Sequence, residues 1–216
     1  MQTMLETEKN IALPEVTSFS PQTDKKFEPD KHLPLLVDYL NQKVLNRHST
    51  CLRGGACEPF YRAPKILAGA HGQDQWLPAM IEFREDYPRS ALHELAHWCI
   101  AGSNRRKQDD YGYWYVPDGR TKAQQKMFFQ VEIKPQALEQ IFCEILGIPF
   151  EASVDNLGGE APTKEETEAF TAALQAQRLI WRKTGLPRRA QAICTALNEF
   201  AALYLKSDKA AQQGPP

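Results

Sequence analysis

His93-Glu94-Leu95-Ala96-His97 is the stretch of this chain whose residue types and spacing most plainly allow chemistry. On a helix, positions four apart lie one turn apart on one face. The neutral nitrogens of His93 and His97 can therefore chelate one divalent metal ion. Glu94 sits beside them, near enough to hydrogen-bond a metal-bound water, and is the candidate catalytic residue. Two imidazoles leave most of a coordination sphere open, so a third protein ligand is expected. Glu132 is the best source. It lies between the apolar Val131 and Ile133 and shortly before Pro135. A carboxylate facing a core is costly unless paired, and a metal would pair it. Asp110 and Asp118 are the competing oxygen donors. Glu139 and Glu144 fall on the following helix and read as solvated-face acids. The bare motif fits an HExxH zinc metallopeptidase, with Glu94 as general base. An oxygen donor as third ligand would discriminate among enzyme types.

These residues need elements to hold them. Ser90 reads as the N-cap of a helix over residues 91–101, with Gly102 just past its end. Upstream, Ala79–Arg84 alternates as a strand does. Glycines 54, 55, 69 and 72 mark loops around a short strand between Cys51 and Gln75. Leu35, Leu36, Tyr39, Leu40 and Val44 recur at helical spacing, with Pro34 suited to a first turn. Downstream, residues 104–110 form a charged connector. Residues 111–116 are aromatic and β-prone, placing Tyr111, Tyr113 and Tyr115 on one strand face and Trp114 on the other. That strand serves either as sheet core or as a pocket wall beside the metal. A turn at Pro117-Asp118-Gly119 leads to a helical stretch from about Lys122. Pro135 should break or kink it, and its second piece stops at Gly147. Thr163-Lys-Glu-Glu166 is a capping-box pattern opening a helix through Phe170, Leu174 and Trp181 that closes at Gly185. Pro187 starts a last helix through Ile193, Leu197, Phe200 and Tyr204. The fold class is α+β, with a small mixed sheet packed among several helices and the HExxH-bearing helix at the metal site.

Composition bounds the rest. At ~150 residues per domain, 216 residues make one domain with extensions. We expect a flexible N-terminal extension over residues 1–30, a single domain over 31–205 and a disordered tail over 206–216. Lys plus Arg number 26 against 27 Asp plus Glu, a net charge of −1, so nothing favours direct nucleic-acid binding. The runs Arg105-Arg106-Lys107 and Arg182-Lys183…Arg188-Arg189 read as solvated helix ends, or else as a patch for an acidic partner. No apolar run approaches the ~18–20 residues that span a bilayer, and the N-terminal stretch has no secretory h-region. Five cysteines, at 51, 57, 99, 143 and 194, suit a reduced, cytoplasmic protein. Cys99, Cys143 and Trp98 read as core.

The blocks Ser90-Ala-Leu-His-Glu-Leu-Ala-His-Trp-Cys-Ile-Ala-Gly102, Tyr111-Gly-Tyr-Trp-Tyr-Val-Pro-Asp-Gly-Arg120 and Val131-Glu-Ile-Lys-Pro-Gln-Ala-Leu138 resemble the bacterial elongation factor P hydroxylase family. Gly54-Gly-x-x-Glu58-Pro59 and, more weakly, Pro149-Phe150…Asp155-Asn156-Leu157 extend the likeness to roughly residues 50–205. Residues 1–50 and the loop at 67–77 depart from the pattern. The resemblance implies a cytoplasmic metal-dependent monooxygenase that modifies a translation factor after its synthesis. Its substrate would be a lysine of elongation factor P that already carries a β-lysyl group, with dioxygen as co-substrate. It further implies a two-histidine, one-carboxylate site, which maps onto His93, His97 and Glu132, with Fe(II) as the expected metal.

Overall fold

Strand β5 (Ala79–Arg84) runs between β1 (Thr50–Ala56) and β2 (Phe60–Arg62) in a three-stranded sheet. The computed structural model that shows this describes residues 26–68, 73–112, 119–154, 156 and 158–205. Ala79, Ile81 and Phe83 are buried and alternate with more open neighbours, so one face of β5 meets the core. β1 runs parallel to β5 and β2 antiparallel, which makes the sheet mixed. The parallel return from β1 requires a crossover. It includes β2 and a two-stranded antiparallel ribbon, β3 (Lys65–Leu67) with β4 (Gln75–Leu77). Gly54 and Gly55 lie inside β1 at its register irregularity rather than in a loop. A Cβ on Gly54 would come within 2.7 Å of the Phe83 ring, and Gly55 has φ +83, so both positions require glycine.

Among the described residues there are five α-helices, α1 (Pro29–Lys43), α2 (Pro88–Ile100), α3 (Lys122–Leu146), α4 (Lys164–Thr184) and α5 (Arg188–Tyr204), of which α1 and α2 pack on the sheet. α2 follows β5 after a tight turn in which Glu85 has φ +46. It packs against β5, α3 and α5 and is buried on most of its circumference, as a central helix must be. α3 in turn packs on α4 and α5. The α+β class and the small mixed sheet match the reading of the sequence.

Several local expectations are corrected. α2 starts at Pro88, whose ring suits a first helical position, with Tyr87 as N-cap. Ser90 lies inside the helix, where its Oγ accepts a hydrogen bond from Arg84 N and ties the end of β5 to α2. α1 likewise starts at Pro29 and carries Pro34 within it. α3 runs through Pro135 as one 25-residue helix. The carbonyl deprived of its partner there is that of Val131, which is exposed, and packing against α2, α4 and α5 holds the helix together. Thr121 and Gln124 form a capping box at its start, and Gly147 ends it in the left-handed conformation. The Thr163–Glu166 capping box of α4 is as expected.

The basic runs are partly structural. Arg106 and Arg189 both donate to the Ala101 carbonyl at the C-terminal end of α2, and Arg189 also reaches Cys99 O at 3.4 Å. The Arg189 guanidinium lies 4.8 Å from the ring centroid of the buried Trp98. Arg182, Lys183 and Arg188 are exposed. Cys99 and Cys143 are buried, and all five cysteines are free thiols. No helix among the described residues is long and apolar enough to cross a membrane.

Candidate metal centre

α2 and α3 together place His93, His97 and Glu132 in one cluster, with their ligand-type atoms all within 4.8 Å of one another. The two histidines lie one turn apart on α2, and their Nε2 atoms converge to 3.1 Å. Glu132 comes across from α3. Its Oε1 is 3.2 Å from His97 Nε2 and its Oε2 is 3.6 Å from His93 Nε2. Glu132 is 1% exposed and His97 8%, whereas a quarter of the His93 side chain is open, so the cluster is reached from the His93 side.

The donor set suits a divalent cation. Two imidazole Nε2 atoms face each other at hydrogen-bond distance, and both turn towards the point that the carboxylate also approaches. Glu132 Oε1 is buried without a hydrogen bond of acceptable geometry, despite its nearness to His97. A buried, under-satisfied carboxylate oxygen beside two imidazoles is costly for folding alone, and two nitrogens plus one oxygen are ligands a first-row divalent metal accepts.

Charge couples the cluster. Burial alone would raise the Glu132 carboxyl, but the facing His97 and His93 charges and the hydrogen bond from Gln136 hold it down at about 2. Burial alone would lower His93, but Glu132 and the hydrogen-bonded Glu139 carry it up to about 10. His93, His97 and Glu132 thus hold opposite charges within 3.6 Å of one another. Burial pushes the Glu94 carboxyl up, opposed by the His93 and His97 charges.

Among the candidate ligands, Glu132 joins the histidines and Asp110 does not. Asp110 lies in a turn at φ +50, with its carboxyl pushed up by burial and pulled down by His97. Asp118 lies outside the described residues. Glu94 is buried at the edge of the cluster but is not one of the three converging residues. One residue after His93, its side chain leaves the helix about 100° away.

Tyr111 and Gly112 belong to a tight turn, Asp109–Gly112, rather than to a strand, and Tyr111 has φ +56. The Tyr111 ring is buried, stacked on Tyr61 at 4.1 Å and lying parallel to His97 at 6.3 Å, so it does wall the cluster. Tyr113, Trp114 and Tyr115 lie outside the described residues.

Two acids depart from the solvated-face reading. Glu144 pairs with Arg178 at 2.5 Å in a partly buried setting. Glu139 is 2% exposed, with Oε2 2.9 Å from His93 Nδ1 and Oε1 accepting from Arg89 Nε at 3.1 Å. Gln136, also missed, donates to Glu132 Oε2 at 3.3 Å and to Ser153 O at 3.0 Å, and accepts from Ser153 N. Residues 132, 136 and 139 share one stripe of α3, and that spacing was the available signal.

The family model described as elongation factor P hydroxylase matches residues 39–212 of this chain. A protein of Haemophilus influenzae named elongation factor P lysine hydroxylase is 39% identical over 165 residues, which cover 76% of this chain and 86% of that protein.

Proposed function

The chain belongs to the elongation factor P hydroxylase family, and from that membership we propose that it hydroxylates the β-lysylated lysine of elongation factor P with an iron ion held by His93, His97 and Glu132. The observation that supports this reading most is the convergence of those three side chains in a chain of this family. Iron bound there would supply the activation of dioxygen that insertion of oxygen into a C–H bond requires. His93, His97 and Glu132 would hold the ion by three protein donors and would leave it accessible to small ligands.

The remaining roles fall to this chain's own groups. His97 and Glu132 are buried, which keeps bulk water from the inner side of the cluster. Gln136 holds one Glu132 oxygen in place from the same helix. Glu94, buried beside the histidines, orients a water or the substrate amine by hydrogen bonding. Tyr111 contributes an aromatic face near His97, suited to the aliphatic stem or the ammonium of a lysyl side chain. The reaction takes place in the cytoplasm, where the translation factor is found.

The test is the mass of the product. Purified chain, Fe(II), a reductant and air are incubated with β-lysylated elongation factor P. A gain of one oxygen atom on the modified lysine supports the reading. Cleavage of the substrate would instead favour the zinc peptidase chemistry to which the bare HExxH motif points. An unmodified substrate would remove the proposed activity.

A further inference from the structure

The His93 ring is gripped from the side facing away from the cluster. Its Nδ1 lies 2.9 Å from Glu139 Oε2, while its Nε2 faces His97 Nε2 and Glu132. Glu139 is itself fixed at both oxygens. Its Oε1 accepts from Arg89 Nε at 3.1 Å, and Arg89 sits one turn before His93 on α2. The Arg89 guanidinium also donates to Glu151 O at 2.5 Å and lies 5.3 Å from the centroid of the Phe150 ring. Glu139 therefore has little freedom to turn away. It lies on the same buried stripe of α3 as Glu132, two turns further on, so one helix face addresses both sides of the His93 ring.

A neutral imidazole carries one hydrogen, on either nitrogen, and only the other nitrogen can bind a metal. A carboxylate accepting from Nδ1 keeps the hydrogen there and leaves the Nε2 lone pair free. It also fixes the plane of the ring and makes Nε2 a better donor. From this geometry we propose that Glu139 is a positioning residue of the metal centre, holding His93 in the Nδ1–H form with Nε2 aimed beside His97 Nε2. The proposal rests on the reading of His93, His97 and Glu132 as metal ligands.

Two variants test it. Glu139→Leu removes the acceptor. Glu139→Gln keeps the size but puts an NH2 donor where one carboxylate oxygen now accepts, so it sets a donor against either His93 or Arg89 and removes the charge. Cobalt(II) affinity is measured by competition with a chelator. The hydrogen bond made by His93 Nδ1–H is read from its proton chemical shift and solvent exchange in the zinc-loaded protein, and thermal melts of the metal-free proteins report the fold.

The wild-type protein should bind cobalt with His93 coordinated through Nε2. Glu139→Leu should lower the affinity about 10–100-fold, Glu139→Gln by less, and in both the His93 Nδ1–H resonance should move upfield and exchange faster with water. Should the leucine variant fail to fold, the glutamine variant decides. Lower melting temperatures with cobalt affinity and His93 signals unchanged would make Glu139 merely structural and overturn the proposal, while leaving the metal centre standing. A wild-type protein that takes up no cobalt would overturn the ligand reading and this proposal with it.

Discussion

At the scale of single residues, each of the three converging side chains sets the state of the others. Glu132 stays ionised in a buried place because two imidazoles face it, and His93 holds a proton because Glu132 and Glu139 flank it. Removing one member should therefore disturb metal uptake more than the fold's surface. His97→Ala protein should retain little divalent metal by elemental analysis, and Glu132→Ala should behave likewise. Undiminished metal content in either variant would argue against the assigned ligands. The charge pair also gives a pH dependence. The His93 proton is held up to about pH 10 in the metal-free protein, so an incoming metal must displace it throughout the neutral range. Affinity should accordingly rise with pH, by about tenfold per unit for one displaced proton, as zinc titrations at several pH values would show. The two histidines were legible in the sequence because helical spacing alone brings them together. Glu139 was not, because its partners His93 and Arg89 lie 46 and 50 residues away on another helix. A buried acid cannot be told from a solvated one until the facing element is known.

At the scale of elements, α2 bears the histidines and its two ends are fixed by different parts of the chain. Ser90 ties its start to β5, and Arg106 and Arg189 satisfy its last carbonyls. Arg189→Leu removes a charged donor from those carbonyls and the cation over Trp98. It should destabilise the protein by ~1–3 kcal/mol, read from urea denaturation. Thr163→Ala, which breaks the capping box of α4 far from the cluster, should cost ~1 kcal/mol and leave metal binding unchanged. Legibility follows locality here too. The Thr163 box, the Gly147 and Gly185 stops and the alternation of β5 are written in a few adjacent residues, and the structure shows them as read. The unbroken passage of α3 through Pro135 and the tight turn at Tyr111 depend on packing against distant elements. Local propensity points the other way at both places.

At the scale of the whole molecule, the described residues form a small mixed sheet and five helices that hold a largely buried cluster of two imidazoles and a carboxylate. Family membership and that cluster together make a metal-dependent oxygen insertion the central claim. It is tested most directly by stripping and restoring the metal. The chain is treated with a chelator, desalted and incubated aerobically with β-lysylated elongation factor P and a reductant. Parallel samples receive Fe(II), Zn(II) or no metal, and the intact mass of the translation factor is read in each. The account predicts a gain of one oxygen atom only where Fe(II) is restored, and none with Fe(II)-treated His97→Ala protein. An oxygen gain without metal, an equal gain in the His97→Ala sample, or cleavage of the factor in the zinc sample would contradict it.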